Sequence, residues 1–229
     1  MFISDNAKAN TVSSKNQLDV GQYVRIFRSE KPVMRVLFVG NSITRHGPAP
    51  QIGWHGDWGM AASCREKDWV HLTVAKLEEK FGEIDYCIAQ GAAWERAYET
   101  DDAVLDAHYA AAREFAADLV LIRIGENIRL HDDAPIQPHY EHMVRYFASN
   151  PAAMVVTSGC FWRMDALDVP FRQAASDCGW RFASMEGVES IPGAMAIGLF
   201  EHDGVARHPS DLGMELIAAR IWDAILAEE

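Results

Sequence analysis

Three short segments of the chain carry residue types that can perform nucleophilic chemistry. They are Gly40-Asn41-Ser42-Ile43, Gly125-Glu126-Asn127 and His208-Pro209-Ser210-Asp211. A serine hydroxyl, a side-chain amide and an imidazole can serve as nucleophile, hydrogen-bond donor and general base in an attack on a carbonyl carbon. If folding brings Ser42 and His208 together, the pair predicts a serine hydrolase.

Ser42 follows the apolar run Val36-Leu37-Phe38-Val39, which predicts a buried strand that ends at Gly40. A serine just past such a strand lies at the carboxyl edge of an α/β sheet, where these folds bind ligands. The GxSxG elbow of α/β-hydrolases is absent from the sequence. The alternative for Ser42 is a turn or helix-capping serine.

Two further strand ends offer donors to a developing oxyanion. Asn127 follows the run 119–124, and its side-chain amide can donate. Gly91 follows the run 86–90, and a glycine lets a backbone N–H approach a ligand closely. Ordinary turn residues are the alternative in both places.

His208 stands on a loop before Pro209 and the last predicted helix. It can act as general base on Ser42 if that helix packs beside the first strand. His202 competes for this role, and Asp203 or Glu201 could orient the imidazole. An exposed loop histidine is the alternative.

Strand and helix patterns alternate along most of the chain, which calls for a mainly parallel sheet covered on both faces, a three-layer α/β/α sandwich. The predicted strands are 36–39, 86–89, 119–124, 154–157 and 181–185. The predicted helices are 68–81, 102–116, 137–148, 166–178 and 211–227. Residues 1–22 are expected to form a polar arm and 23–229 the domain, in which 45–66 is a long loop rich in Gly, Pro and Trp.

Composition narrows the class of partner. A formal net charge of −12 without a basic run argues against a nucleic-acid surface and suits a small neutral or cationic substrate.

The four cysteines show no CxxC spacing, so a zinc ribbon is not expected. No apolar run reaches the roughly 18 residues of a membrane span, and no signal peptide is recognisable, so a cytoplasmic location is expected.

Taken together, the segments resemble the SGNH hydrolases, also called GDSL-like lipases and esterases. The match lies in Gly40-Asn41-Ser42-Ile43-Thr44, Gly91, Gly125-Glu126-Asn127 and His208-Pro209, in the family's order along the chain. The resemblance spans residue 34 to about residue 220. It implies a flavodoxin-like fold with a five-stranded parallel sheet.

The same resemblance implies the catalytic roles. Ser42 resembles the nucleophile and His208 the base, with the Ser42 N–H, the Gly91 N–H and the Asn127 amide forming the oxyanion hole. The chain departs from the family pattern at Val205, which stands where the acid of the triad is common. Asp203, a backbone carbonyl or another acid would then orient His208, and the carbonyl would leave a Ser-His dyad.

Tryptophans cluster around these segments and could form a platform for a sugar ring or an acyl chain. They are Trp54, Trp58, Trp94 and Trp162. The alternative is that they pack loops onto the domain.

His139 and His142 lack the HExxH pattern, and neither they nor the acidic turn at His131 are expected to bind metal. No cofactor is implied.

The sequence therefore predicts a serine esterase that removes a short acyl group, acetyl in the first instance, from a sugar or related alcohol. A lipase-like or lysophospholipase-like enzyme acting on longer acyl chains is the enzymatic alternative. A catalytically degenerate carbohydrate-binding domain is the alternative from another class. A mononucleotide binder is disfavoured, because no helix follows Thr44 directly.

Overall fold

The structure is a computed structural model that describes residues 23–100 and 102–227. A six-stranded sheet lies at its centre. The strands are β1 (Val24–Phe27), β2 (Met34–Gly40), β3 (Ile84–Gln90), β4 (Leu119–Arg123), β5 (Met154–Ser158) and β6 (Arg181–Ala183). The polar arm predicted over residues 1–22 lies outside the described residues.

Strands β2 to β6 are parallel, as predicted, and their apolar runs are buried because helices cover both faces of the sheet. The order across the sheet is β1-β3-β2-β4-β5-β6. When only the parallel strands are numbered along the chain, this order is 2-1-3-4-5, the flavodoxin-like arrangement. The predicted α/β/α sandwich is therefore confirmed.

A sixth strand, β1, joins the five expected parallel strands and was not expected. It pairs antiparallel with β3 at the edge of the sheet. β1 is only four residues long and none of them is fully buried. A short, half-exposed edge strand has little hydrophobic periodicity, so the pattern of apolar residues does not predict it. Phe27 stacks on Tyr86 of β3 with ring centroids 4.4 Å apart and holds the strand in place.

Seven helices are seen within the described ranges. They are α1 (Trp69–Phe81), α2 (Ala92–Arg96), α3 (Asp102–Glu114), α4 (Ile136–Phe147), α5 (Asp165–Cys178), α6 (Asp203–Ala206) and α7 (Asp211–Leu226). The apolar sides of α3, α4 and α5 form a core with one face of the sheet, and those of α1 and α7 form a core with the other. Among the helices of the described ranges, none has the length and apolar character to cross a membrane.

Helix α7 begins where the sequence predicts, because Ser210 caps it. The Ser210 hydroxyl accepts a hydrogen bond from the Gly213 N–H at 3.3 Å and donates to the Gly193 carbonyl at 2.5 Å. This cap satisfies a donor that the first turn of a helix leaves free. It also fixes the loop that precedes the helix and contains His208.

The register of the parallel strands brings three chain segments to one edge. Gly40 at the end of β2 lies opposite Gln90 of β3 on one side and Arg123 of β4 on the other. The residues that follow each strand therefore emerge side by side. These residues include Ser42, Gly91 and Asn127.

Gly40 permits the close approach of these strand ends. A Cβ at this position would collide with the Thr44 side chain and the Arg123 carbonyl. We expect Gly40→Ala to lower the free energy of unfolding by about 1–3 kcal/mol, as overpacking does in well-packed cores. Urea unfolding of this variant beside Leu199→Ala, whose side chain is 70% exposed, measures the effect. Equal stability of the two variants would contradict the packing constraint.

Candidate active site

The structure brings Ser42 and His208 together across 166 positions of sequence. The Ser42 Oγ lies 2.8 Å from the His208 Nε2. After Gly40 the chain turns sharply, since the N–H groups of Thr44 and Arg45 both donate to the Asn41 carbonyl at 3.0 Å. This turn holds Ser42 at the carboxyl edge of the sheet, where its hydroxyl can meet the imidazole.

The other nitrogen of His208 faces a backbone carbonyl. Its Nδ1 lies 2.7 Å from the Gly204 oxygen, which can only accept. The proton of the neutral ring is therefore assigned to Nδ1, and Nε2 is left to accept a hydrogen bond from the Ser42 hydroxyl. This is the arrangement that a general base requires.

Asp203 does not contact the His208 ring, contrary to the expectation that this carboxylate orients the imidazole. Its carboxylate is about half exposed and pairs with the Arg207 guanidinium, Oδ2 to Nε 2.8 Å. The pairing follows from α6, which places these two residues one turn apart. The backbone-carbonyl alternative, through Gly204, describes the geometry.

His202 does not compete with His208. It is buried, and its Nδ1 accepts a hydrogen bond from the Val205 N–H at 3.2 Å, so it caps α6. The fully buried Val205 packs in an apolar cluster with residues of the 45–66 loop. The one-turn helix α6 thus presents the Gly204 carbonyl to the imidazole.

Burial lowers the pKa of His208 to about 4, and the hydrogen bond to the Gly204 carbonyl opposes the shift only in part. His46 and Arg123 lower it further, whereas Glu126 raises it. The imidazole is therefore neutral near pH 7 and able to accept a proton.

Of the three expected oxyanion donors, Gly91 is already engaged. Its N–H donates to the Gly40 carbonyl at 2.6 Å, and the next N–H, of Ala92, donates to the Gln90 side chain at 3.1 Å. The absence of a side chain at Gly91 serves packing instead, since a Cβ would lie 2.5 Å from the Ile124 Cδ1. This finding corrects the expectation that Gly91 contributes a free donor.

Ser42 and Asn127 keep a donor available. The Ser42 N–H finds no acceptor in the described part of the chain. The Asn127 Nδ2 donates to the Glu95 carboxylate at 2.6 Å, and a primary amide carries a second N–H. Asn127 is itself exposed, so this second N–H can meet a ligand.

A buried polar network lies beneath Asn41 and Asn127, and the sequence analysis missed it. Arg123 is fully buried and pairs with Glu126. Glu126 also accepts from the Asn41 Nδ2 at 2.6 Å, and Glu95 accepts from the same nitrogen at 2.9 Å. Burial, together with the nearby Glu126 charge, raises the pKa of Glu95.

A signal for part of this network was present in the sequence. An arginine inside the apolar run 119–124 must be buried, and a buried charge requires a partner. Glu126, three residues later, supplies it. Glu95 gave no such signal, because a Glu beside an Arg is typical of a solvated helix surface.

The four tryptophans divide between packing and the site. Trp94 is fully buried and Trp54 is 3% exposed, so neither can form a platform for substrate, contrary to the expectation. Trp58 is half-buried and packs edge-on against Trp54, with its Nε1 donating to the Ala62 carbonyl. Trp162 is half-buried and lies edge-on to the His208 ring, with centroids 5.6 Å apart, so it packs against the imidazole of the Ser-His pair.

A cleft of about 610 Å³ opens beside Asn127. Most of the residues that line it are polar or charged, and they include Arg96, Arg129 and His131. Three acidic residues, Glu95, Glu99 and Glu126, are also among its lining, together with Ile128. The volume is ample for a sugar-sized group next to the Asn127 amide.

The histidines considered for metal binding have other partners. His142 pairs with Asp102 at 2.8 Å, and the His139 ring lies edge-on to Tyr98. The His131 N–H donates to the Tyr98 hydroxyl at 3.1 Å. Across residues 23–100 and 102–227, His, Cys, Asp and Glu side chains form no group of three that could hold a metal ion.

No protein-family model matches the chain, and no curated protein matches its sequence. Solved structures match its fold. A protein assigned as a GDSL-like lipase from Parabacteroides merdae aligns with a TM-score of 0.55 at 15% identity, over 86% of this chain and 97% of that one.

Two carbohydrate-active proteins align as well. A two-domain esterase active on acetylated mannans has a TM-score of 0.55 and 18% identity, over 85% of this chain and 50% of its own. A family two carbohydrate esterase from Cellvibrio japonicus has a TM-score of 0.52 and 18% identity, over 85% and 63% respectively. The chain therefore has the fold of the GDSL-like, or SGNH, hydrolases, as the sequence resemblance implies.

Proposed function

We propose that this protein is a serine ester hydrolase of SGNH type that removes short acyl groups, acetyl in the first instance, from a carbohydrate or related small alcohol. The single observation that carries the proposal is the hydrogen-bonded chain from the Ser42 hydroxyl through the His208 ring to the Gly204 carbonyl. It stands at the carboxyl edge of the sheet beside Asn127. The fold shared with esterases supports the same function.

In the proposed mechanism the Ser42 Oγ attacks the ester carbonyl while His208 Nε2 takes its proton. The negative charge that forms on the carbonyl oxygen receives hydrogen bonds from the Ser42 N–H and the Asn127 side chain. Collapse of the tetrahedral intermediate breaks the bond to the alcohol, which His208 protonates. Water then attacks the acyl-enzyme by the same route and releases the acid.

The Gly204 carbonyl takes the place of a triad acid in this mechanism. It fixes the tautomer and orientation of His208, which are the main contributions of the acid in a full triad. A carbonyl dipole stabilises the transient imidazolium less than a carboxylate does. The dyad therefore depends more strongly on the oxyanion donors.

The surroundings of Asn127 favour a hydroxylated substrate. The cleft beside it presents guanidinium and imidazole groups, which can hydrogen-bond to sugar hydroxyls. A long acyl chain would instead need an extended apolar groove. Activity of a structural neighbour on acetylated mannans agrees with this choice.

Ser42→Ala tests the nucleophile. We expect kcat for p-nitrophenyl acetate to fall on the order of 10⁶-fold, because the nucleophilic oxygen is lost while the fold is kept. Hydrolysis is followed by release of p-nitrophenol. Ser176→Ala, at an exposed position on α5, is the matched control and should retain wild-type rates.

The acyl preference is measured in the same assay with p-nitrophenyl butyrate, followed by peracetylated mono- and oligosaccharides. A preference for acetate, with deacetylation of a sugar, supports the proposal. A preference for butyrate and longer chains would favour the lipase-like alternative. Unchanged activity in Ser42→Ala would contradict the assignment of Ser42 as the nucleophile.

Asp203→Asn tests whether the dyad is complete without a carboxylate. Because Asp203 pairs with Arg207 and not with His208, we expect kcat/KM to stay within about threefold of wild type, whereas loss of a true triad acid costs about 10⁴-fold in kcat. Steady-state kinetics on p-nitrophenyl acetate decide between the two. A loss above about 10²-fold would show that Asp203 reaches His208 during turnover.

The depressed pKa of His208 predicts the pH profile. Only the neutral imidazole accepts the serine proton, so kcat/KM should stay level from about pH 7 to about pH 5 and decline below about pH 4. A base with the ordinary pKa of about 6.5 would lose about 30-fold by pH 5. Rates are read after an alkaline quench.

The control for this profile is folding. His208 has a lower pKa in the folded state than in the unfolded state, so the unfolded chain binds the proton first. Its contribution therefore lowers stability as the pH falls from about 6.5 towards 4. Circular dichroism at each pH separates this loss from the titration of the base, and an acid limb near pH 6.5 in folded protein would contradict the prediction.

A further inference from the structure

We propose that Glu95 is the positioning residue of the oxyanion hole: its buried carboxylate holds the Asn127 side chain so that an N–H group faces the substrate. The proposal rests on the esterase function proposed above. It adds a residue that lies on neither the serine nor the histidine segment.

Glu95 accepts two hydrogen bonds from Asn127. Its Oε2 accepts from the Asn127 Nδ2 at 2.6 Å, and its Oε1 accepts from the Asn127 backbone N–H at 3.3 Å. Glu95 itself is fully buried on the short helix α2, directly after β3. Buried hydrogen bonds to a carboxylate are strong, so they can hold an otherwise exposed side chain in one rotamer.

The chemistry of the contact decides which end of the Asn127 amide faces Glu95. An ionised carboxylate only accepts hydrogen bonds, whereas an amide can present either two N–H donors or a carbonyl oxygen. If the Asn127 amide were flipped, its oxygen would face the Glu95 oxygen without a hydrogen. Glu95 therefore selects the orientation in which Nδ2 lies on the inner side, with its second N–H free.

The remaining partners of Glu95 fit an ionised carboxylate. Its Oε1 accepts from the Gly125 N–H at 2.8 Å and from the Asn41 Nδ2 at 2.9 Å. The backbone N–H groups of Gly125 and Asn127 can only donate, and Asn41 donates through its side-chain amide nitrogen. All four hydrogen bonds thus point towards Glu95, and those from Asn127, Asn41 and Gly125 oppose the rise in its pKa that burial and the Glu126 charge cause.

The same contacts couple the two halves of the site. Asn41 directly precedes Ser42, and Asn127 lies beyond the end of β4, so one carboxylate binds the neighbour of the nucleophile and the oxyanion donor together. The Gly91 N–H is engaged with Gly40, which leaves Asn127 and the Ser42 N–H to stabilise the oxyanion. Correct orientation of Asn127 therefore carries more weight in this chain than it would with three donors.

Glu95→Gln tests the proposal with little change in volume. Glutamine can present oxygen or nitrogen to Asn127 and no longer selects its orientation. We expect kcat for p-nitrophenyl acetate to fall about 10²–10³-fold, the usual cost of losing one oxyanion donor, with KM changed less than about threefold. Glu114→Gln, exposed at the end of α3, is the control and should match wild type.

A double-mutant cycle separates positioning from a general structural role. If Glu95 acts through Asn127, then Glu95→Gln should cost little once Asn127→Ala has removed the amide, and the two effects will be far from additive. Losses that multiply in the double variant would overturn the proposal. So would a wild-type kcat in Glu95→Gln.

A second measurement does not need activity or a folded variant. In the ¹⁵N-edited spectrum of the wild type, one Asn127 side-chain amide proton should be shifted downfield and protected from exchange by the bond to Glu95. Its absence would overturn the proposal even if Glu95→Gln fails to fold. A protected proton in a protein that hydrolyses no ester would instead reject the esterase function and leave the positioning intact.

Discussion

The ion pair between Arg123 and Glu126 is the interaction on which the arrangement at the sheet edge depends. The Arg123 side chain is fully buried at the end of β4, and removal of either partner of a buried pair costs about 3–5 kcal/mol because the other charge is left without compensation. Glu126 also accepts from Asn41 and from the Phe161 N–H. The pair therefore ties the ends of β2, β4 and β5 to one another.

Glu95 extends this network to β3. Its hydrogen bonds to Asn41, Gly125 and Asn127 join the residue before Ser42 to the loop that holds Asn127. A polar network of this kind is stable only when its members are satisfied, and full satisfaction also makes it rigid. For the proposed esterase function such rigidity is useful, because preorganised donors need no rearrangement when charge develops on a substrate.

The site combines two supports of different kind. The floor is a charged network between strand ends, whereas His208 is held by a loop, a one-turn helix and the capped helix α7. The cap at Ser210 and the hydrogen bond from the Ala196 N–H to the His208 carbonyl, 2.9 Å long, fix that loop. Helix α7 packs on the same face of the sheet as α1, and the loop before it places His208 beside Ser42.

The five parallel strands and the long helices followed from hydrophobic periodicity, and the positions of Ser42 and Asn127 at the sheet edge followed from where those strands end. Periodicity reports which residues are buried but not against what. It could not place β1, which is short and half-exposed, nor show that Trp94 belongs to the core and Trp162 to the site. The hydrogen-bond partners of the His208 Nδ1, the Gly91 N–H and the Asn127 Nδ2 were decided by the tertiary structure alone. A hydrogen bond forms or fails with small differences in atomic position, and these differences arise between segments far apart in the sequence. The sequence by itself determined the fold and the chemical groups at its edge; packing decided that the Gly204 carbonyl and not the Asp203 carboxylate faces the His208 ring, and that Glu95 lies beneath Asn127.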